Sequence, residues 1–288
     1  MDGDLRNIKL AKILAKEDDN FVYVFGLEKA DELRNIDNII FCESLESVVN
    51  KSTVVITAIP FSRDGLKVYT PFGNNELSIK ELVSSVNDKI LIAGGISNIV
   101  YDLINENTSK NIKVIDIMKQ EELVILNTIA TAEGTIQTII ENTDFIIHKS
   151  KILVLGFGRV GKVSAKKLQA LDAKVTCSAR KVEDIAWINT YGYDFLDIND
   201  LGNSLKDYDI IINTIPNIIL DENNLKYVRK DCLLIDLASA PGGIDRTYVE
   251  KEKLNFVWAL ALPGKIAPLT TADFIKNTIY NVLDEKKI

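Results

Sequence analysis

Lys151-Ile152-Leu153-Val154-Leu155-Gly156-Phe157-Gly158-Arg159-Val160-Gly161 is the stretch whose reading decides the fold. After Lys151, four apolar residues make a buried-strand pattern that runs directly into a G-x-G-x-x-G turn. Beyond it, Val160, Val163, Leu168 and Leu171 recur on one face of a helix. Strand, glycine turn and helix in that order are the context in which this fingerprint signals dinucleotide binding. Gly156 is expected to permit the tight turn, Gly158 to let backbone approach a pyrophosphate, and Gly161 to bring helix and strand close. The helix N-terminus offers unpaired N–H groups to phosphate. Phe157, Arg159 and Val160 therefore join the glycines as candidate cofactor residues.

The alternation continues outward in both directions. Downstream, strands are predicted at 174–179, 209–216, 232–238 and 255–262, with a short one near 194–198, all separated by helical segments. With 151–156 that makes six strands, the number of a doubly wound dinucleotide fold. Upstream, strands are predicted at 21–26, 38–42, 53–60, 89–94 and 112–117, and the gaps carry helical spacing such as Leu82 and Val86. Residues 121–148 read mostly as one long helix, with no turn cluster before Asn142-Thr143-Asp144. The expected fold is α/β: two Rossmann-like, doubly wound parallel-sheet domains joined by that helix, with a cleft between them. The expected boundaries are a substrate-side domain over 1–127, a bridging helix over 128–149 and a nucleotide-binding domain over 150–269. The amphipathic segment Thr270–Glu285, with Ala272, Ile275, Ile279 and Leu283 on one face, is open to packing back on the first domain.

Composition narrows the function classes. The 288 residues carry a formal net charge of −7, which argues against a nucleic-acid partner. No run approaches the ~18 uninterrupted apolar residues of a membrane helix, and Met1-Asp2-Gly3-Asp4 lacks the apolar core of a secretory signal. The expectation is a cytoplasmic protein without membrane attachment. Cys42, Cys177 and Cys232 lie in apolar runs and read as buried thiols. With a single histidine in the chain, no Cys/His metal site is expected.

Strand ends supply the rest of the cofactor wall, because ligands in open parallel sheets sit outside the carboxyl edge. At the second strand of the nucleotide domain the chain reads Cys177-Ser178-Ala179-Arg180-Lys181. The carboxylate that would hydrogen-bond a ribose 2′-hydroxyl is not in this stretch, and a hydroxyl with two cations suits a 2′-phosphate. NADP is preferred to NAD, with Ser178, Arg180 and Lys181 as its candidate contacts. Thr214, Ile215 and Pro216 end the fourth strand, Asp236, Leu237 and Ala238 end the fifth, and a Pro263-Gly264 loop follows the sixth. His148 precedes the nucleotide-binding strand, on the side away from any nicotinamide, and is expected to order the connection rather than to catalyse. No catalytic acid or base is assigned.

With these segments in view, the chain resembles the family of dipicolinate synthase A subunits of spore-forming bacteria. The resemblance rests on AGGISN (93–98), TAEGTIQ (131–137), TDFIIHKSKILVLGFGRVGK (143–162), INTIP (212–216), IDLASAPGGID (235–245) and LPGKIAPLTTA (262–272). It implies pyridine-nucleotide-linked oxidation of dihydrodipicolinate to dipicolinate, pyridine-2,6-dicarboxylate. It also implies a partner, the flavoprotein-like B subunit of dipicolinate synthase, and the mother-cell cytoplasm as location; a homo-oligomer is a further expectation. Departures are Ala130 in place of a proline and Lys265 in place of an aliphatic residue. Family members also begin with a strand leading into a Gly-Gly-Asp-x-Arg turn, whereas Asp2-Gly3-Asp4-Leu5-Arg6 resembles the turn with no strand ahead of it.

A small dicarboxylate needs cations and N–H donors. The candidate substrate residues are Arg6, Ser62, Arg63, Gly94, Gly95 and Ser97 in the first half. Glu133 on the bridging helix, and Ser239, Gly242, Gly243 and Lys265 in the second half, complete the set. Two alternatives stay open: another two-domain dehydrogenase of amino or hydroxy acids, or a nucleotide-binding scaffold that holds the B subunit.

Overall fold

A computed structural model describes residues 3–106 and 111–286, so Asp2 of the Asp2–Arg6 turn lies outside the described residues. The chain divides into two compact units, Thr128–Ile266 and Met1–Asn127 with Ala267–Ile288. In chain order the first unit contains α1 (Leu5–Leu14), β1 (Val22–Val24), β2 (Ile39–Phe41), α2 (Leu45–Lys51), β3 (Val54–Ile56), β4 (Lys67–Val68), β5 (Leu77–Ser78), α3 (Ile79–Ser85), β6 (Ile90–Ala93), α4 (Asn98–Glu106) and β7 (Lys113–Asp116). Helix α5 (Glu121–Asn142) gives its first turns to that unit and the remainder to the other.

The second unit continues with β8 (Lys151–Leu155), α6 (Arg159–Gln169), β9 (Lys174–Ser178), α7 (Val182–Thr190), β10 (Asp194–Phe195), β11 (Ile210–Asn213), α8 (Glu222–Leu225), β12 (Leu233–Asp236), α9 (Arg246–Glu252), β13 (Phe256–Trp258) and α10 (Leu262–Ile266). Helix α11 (Pro268–Glu285) then returns to the first unit.

In the second unit six parallel strands form one sheet in the order β10-β9-β8-β11-β12-β13. Numbered along the unit, that is 3-2-1-4-5-6, the doubly wound dinucleotide order. Its central strands β8, β11 and β12 are apolar on both faces, as helix-covered parallel strands must be. Ile152, Val154, Ile210 and Ile212 pack with Ile139 of α5 and Leu168 of α6. The alternate residues Leu153, Leu155 and Ile211 point the other way, to Leu205, Leu225 and Val249.

The first unit carries its parallel strands in two pieces, β1-β2 and β3-β6-β7, with the antiparallel pair β4-β5 beside them. Helix α11 buries Ala272, Ile275 and Ile279 in the same core as Leu10 of α1, Ile92 of β6 and Leu123 of α5.

Three expectations change. The bridging helix starts earlier and stops at Asn142, where the Asn142–Asp144 turn cluster ends it. Residues 262–266 form the short helix α10 rather than an open loop. Helix α5 holds an 18-residue stretch long and apolar enough to cross a membrane by length and composition, and half of that stretch is buried inside the protein.

All three cysteines are free and buried, and burial pushes the Cys177 and Cys232 thiols up to about 12. A thiolate is the reactive form. The native protein should therefore show no rapid reaction with a thiol reagent near pH ~8, and three reactive thiols after denaturation. Fast labelling of Cys177 or Cys232 in the native state would contradict this packing.

Candidate functional site

The carboxyl edge of the second unit's sheet is organised by the glycine turn. Gly156 adopts a φ of 93°, and Gly158 caps α6 in an extended conformation. A Cβ on Gly161 would overlap the Gly156 carbonyl oxygen, so only glycine lets α6 lie this close to the end of β8. A Cβ on Gly156 would meet the Thr214 Oγ1 at 2.5 Å. Gly158 differs: nothing lies within 4 Å of where its Cβ would stand. Two glycines are thus demanded by the fold itself, while the middle one, exposed at the helix N-terminus, leaves room that a ligand can use. Phe157 is buried in the core, Arg159 is exposed at the first position of α6, and Val160 is half-buried. The turn fits a dinucleotide phosphate.

Next to it, Thr214 ties the end of β11 to β8 by donating both its N–H and its hydroxyl to the Leu155 carbonyl, each at 2.9 Å. Ile215 is half-buried and Pro216 exposed, both at that strand's carboxyl end. Asp236 has a different job from the one expected. It is 1% exposed, and its two oxygens accept from Asn213 Nδ2 at 2.8 Å, Ala238 N–H at 3.0 Å and Gly243 N–H at 2.7 Å. The carboxylate is buried and holds the 238–243 loop.

Gly242 has a φ of 87° and Gly243 packs where a Cβ would run into the Asn213 amide, so both glycines serve this close approach. Trp258 holds the loop from the other side, donating Nε1–H to the Ala238 carbonyl at 2.9 Å beneath the Arg246 guanidinium. Leu237 is half-buried against the core, and Ser239 is exposed on the loop.

Sequence reasoning missed Asn213 and Trp258. A lone amide closing the apolar run Ile210–Ile212 was the available signal for the first; nothing local marked the second.

At the end of β9 the expected trio separates. Ser178 is fully buried inside the strand, with no hydrogen-bond partner for its hydroxyl among the described residues, so it is not at the surface with the cations. Arg180 and Lys181 are exposed there, Lys181 at the N-cap of α7. The first turn of α7 adds Glu183 and Asp184, the latter paired with Lys162 at 3.0 Å. The local field is therefore mixed rather than purely cationic.

Glu133 pairs with Lys167 at 2.8 Å, in the last turn of α6. Eight residues of helix, about 12 Å at 1.5 Å per residue, separate that turn from Arg159. Glu133 is thus not beside the glycine turn. Gly134, next to it, admits the Leu262 side chain. Pro263 is half-buried on α10, Gly264 buried and Lys265 exposed. His148 is half-exposed and faces Asp172 at 3.4 Å, in the connection ahead of β8.

In the first unit, the carboxyl ends of β3 and β6 carry the remaining candidates, and most prove structural. Arg6 is 6% exposed; its guanidinium grips Asp4 at 2.7–3.0 Å and donates to the Ile59 carbonyl at 2.7 Å. It pins α1 to the loop after β3 instead of waiting for a substrate. Ser62 closes its own turn, donating to the Lys67 carbonyl and accepting from Gly65 N–H. Gly94 packs on Ile59, and the Gly95 N–H is taken by Asp116, which also accepts from Ile96 and Met118. Sequence reasoning missed Asp116 as well, the acid that closes the run Val114–Ile115. Arg63 stays exposed, stacked 3.9 Å over the Tyr69 ring with one hydrogen bond to its hydroxyl, and Ser97 is exposed just ahead of α4.

Comparison with known proteins agrees with both halves. Residues 1–118 match the family model of the N-terminal domain of the dipicolinate synthase A subunit, and residues 127–258 match that of the S-adenosyl-L-homocysteine hydrolase NAD binding domain. The chain is 32% identical to the A subunit of dipicolinate synthase from Bacillus subtilis (strain 168), covering 98% of this chain and 94% of that protein. Among solved structures, the dipicolinate synthase A subunit from Bacillus halodurans is similar with TM-score 0.87 and 29% identity, covering 98% of this chain and 95% of that one. The dipicolinate synthase A chain from Bacillus subtilis is similar with TM-score 0.85 and 30% identity, covering 99% and 94%.

The glycine geometry separates two substitutions. Gly161→Ala should destabilise the second unit by about 3 kcal/mol or more, because α6 has to move off the strand. Gly158→Ala should leave the unfolding midpoint nearly unchanged and weaken dinucleotide binding about tenfold or more, roughly 1.4 kcal/mol. Equal behaviour of the two variants in urea melts and cofactor titrations would refute this division. Asp236→Asn turns one acceptor toward the Gly243 donor into a second donor, and should cost about 2 kcal/mol. Limited proteolysis should then cut within 238–243; an uncut loop would count against Asp236 as its anchor.

Proposed function

The chain belongs to the family of dipicolinate synthase A subunits, and from that premise we propose that it oxidises dihydrodipicolinate to dipicolinate with a nicotinamide cofactor, together with a B subunit, in the mother-cell cytoplasm of a sporulating bacterium. The observation that carries the cofactor half is Gly158, the one fingerprint glycine that the fold itself does not require. When bound, the nicotinamide supplies a hydride acceptor. The chain's own residues then have a modest task. Making the pyridine ring aromatic removes one hydride and one proton, and aromatisation makes the step favourable, so positioning rather than strong acid–base catalysis limits the rate. This agrees with a glycine turn and a 238–243 loop held by internal hydrogen bonds to Asp236.

The cofactor phosphates are assigned to the N–H groups at the start of α6, and NADP is preferred over NAD. Arg180 and Lys181 support that preference, since both are exposed at the end of β9, where a 2′-phosphate would lie. Arg63 is the exposed cation we assign to a substrate carboxylate; its stack on Tyr69 holds the guanidinium plane without using all its donors.

The assay mixes this chain and a B subunit with freshly generated dihydrodipicolinate. Dipicolinate absorbance and reduction of NADP or NAD are followed together. Both signals should rise in step, and neither should appear without the nicotinamide cofactor. Silence with both cofactors sinks the assignment, while nucleotide binding without hydride transfer would select a scaffold role. Activity on amino or hydroxy acids without the B subunit would select a different dehydrogenase. Arg180→Ala should raise the NADP KM more than the NAD KM, and equal changes would remove the case for NADP.

A further inference from the structure

One ion pair joins the glycine turn to the helix that follows β9. Lys162 lies in the first turn of α6, where its backbone N–H donates to the Gly158 carbonyl at 2.9 Å. Its ammonium stands 5.5 Å from the centre of the Phe157 ring, within the glycine turn, and 3.0 Å from a carboxylate oxygen of Asp184 in the first turn of α7. Phe157 is buried and meets Tyr193 edge-on at 5.9 Å, so the core fixes the ring beneath the ammonium. The two side chains of the pair are 39% and 23% exposed. Pairs this open to solvent add little to stability. What this one does is decide where the Asp184 carboxylate points.

That carboxylate has a second place to go. Helix α7 begins with Lys181 as its N-cap, and Asp184 is its third residue. An acid at that position is placed to reach back to the N-cap N–H, and negative charge is favoured at a helix start. Arg180 and Lys181 are exposed there, and neither side chain has a hydrogen bond or ion pair among the described residues. A carboxylate swung to the helix start would take one donor and oppose both cations. In the structure it is turned to Lys162 of the neighbouring helix instead, and the two cations stay uncommitted. Glu183, the other acid of that turn, is exposed.

The consequence falls on one part of a ligand. A carboxylate released to the helix start repels a phosphate dianion beside Arg180 and Lys181 far more than it disturbs a neutral hydroxyl, because the Coulomb term scales with the ligand's charge. Specificity is a difference between two affinities, and an acid so placed acts on only one of them.

We propose that the Lys162–Asp184 pair is a specificity device of the dinucleotide site, in which Lys162 draws Asp184 toward α6 and so keeps the start of α7 open to a 2′-phosphorylated dinucleotide over one with a free 2′-hydroxyl. It rests on the assignment of Arg180 and Lys181 to the 2′ position made above. Lys162 and Asp184 are positioning residues here: they act through the two cations. Since Lys162 is seated on Phe157, the glycine turn that receives the cofactor's shared phosphates also sets the charge offered to its 2′ group.

The test titrates NADP and NAD calorimetrically into the full chain and into Lys162→Met, Lys162→Arg, Asp184→Asn and the Lys162→Met/Asp184→Asn double variant. Methionine keeps an apolar stem over Phe157 and removes the charge. Lys162→Met should weaken NADP binding by about fivefold and NAD binding by less than about twofold. Lys162→Arg, which keeps a cation facing Asp184, should preserve the ratio of the two affinities. Asp184→Asn should bind NADP at least as tightly as the unaltered chain, and the double variant should match Asp184→Asn. Unfolding midpoints should stay close throughout, so a merely structural role would leave the ratio unmoved. Equal loss of both cofactors in Lys162→Met places Lys162 on the shared phosphates and overturns the proposal. An unchanged ratio overturns it too, as does a double variant as weak for NADP as Lys162→Met. An unaltered chain that favours NAD overturns the NADP reading alone, and the pair is then judged on whether Lys162→Met lowers the NADP-to-NAD ratio further. Failure of the unaltered chain to bind either cofactor overturns both.

Discussion

The approach of α6 to the end of β8, close enough that a Cβ on Gly161 would overlap the Gly156 carbonyl, is the constraint on which the second unit depends. It brings the N-terminus of α6 to the carboxyl edge of the sheet. It also places Thr214 where one side chain can close β11 onto Leu155. From that contact follow the open space over Gly158 and the placing of the neighbouring strand ends around it. A phosphate site made this way needs few cations, because oriented N–H groups at a helix start already favour negative charge. A chain of net charge −7 can hold an anionic cofactor on those terms.

A second device is used in both units. Asp116 ends β7 and Asp236 ends β12; each is buried, and each accepts backbone N–H groups from a glycine-containing loop. A carboxylate accepts several such bonds and fixes loop geometry more firmly than a neutral acceptor, since charge-assisted hydrogen bonds are the stronger class. Both carboxylates are buried where they make these bonds. Arg6 follows the same logic with opposite sign: a buried cation whose partners are Asp4 and a main-chain carbonyl. Residue types that look functional in a motif are here spent on holding loops in place.

The units also differ in how completely their sheets are built. The second has a strand at every position of the doubly wound order, while the first, among the described residues, carries its parallel strands in two pieces. Its core nonetheless closes, because α11 packs Ala272, Ile275 and Ile279 against Leu10 and Ile92.

Strands of the second unit were legible because helix-covered parallel strands are continuous apolar runs, and β8, β11 and β12 each stop at a glycine or polar residue. The glycine fingerprint was legible for a local reason: its spacing reflects geometry within eleven residues of chain. By itself the sequence determined the α/β class, the location of the nucleotide turn and the inert character of the cysteines. Only the tertiary structure decided which polar residues face outward. Ser178 sits in a register that buries it against β8, Glu133 meets Lys167 from another helix, and Asp236 meets Asn213 and Gly243 across separate strand ends. Each of those outcomes depends on a partner distant in sequence, and side-chain type and spacing carry no record of such a partner until the chain has folded.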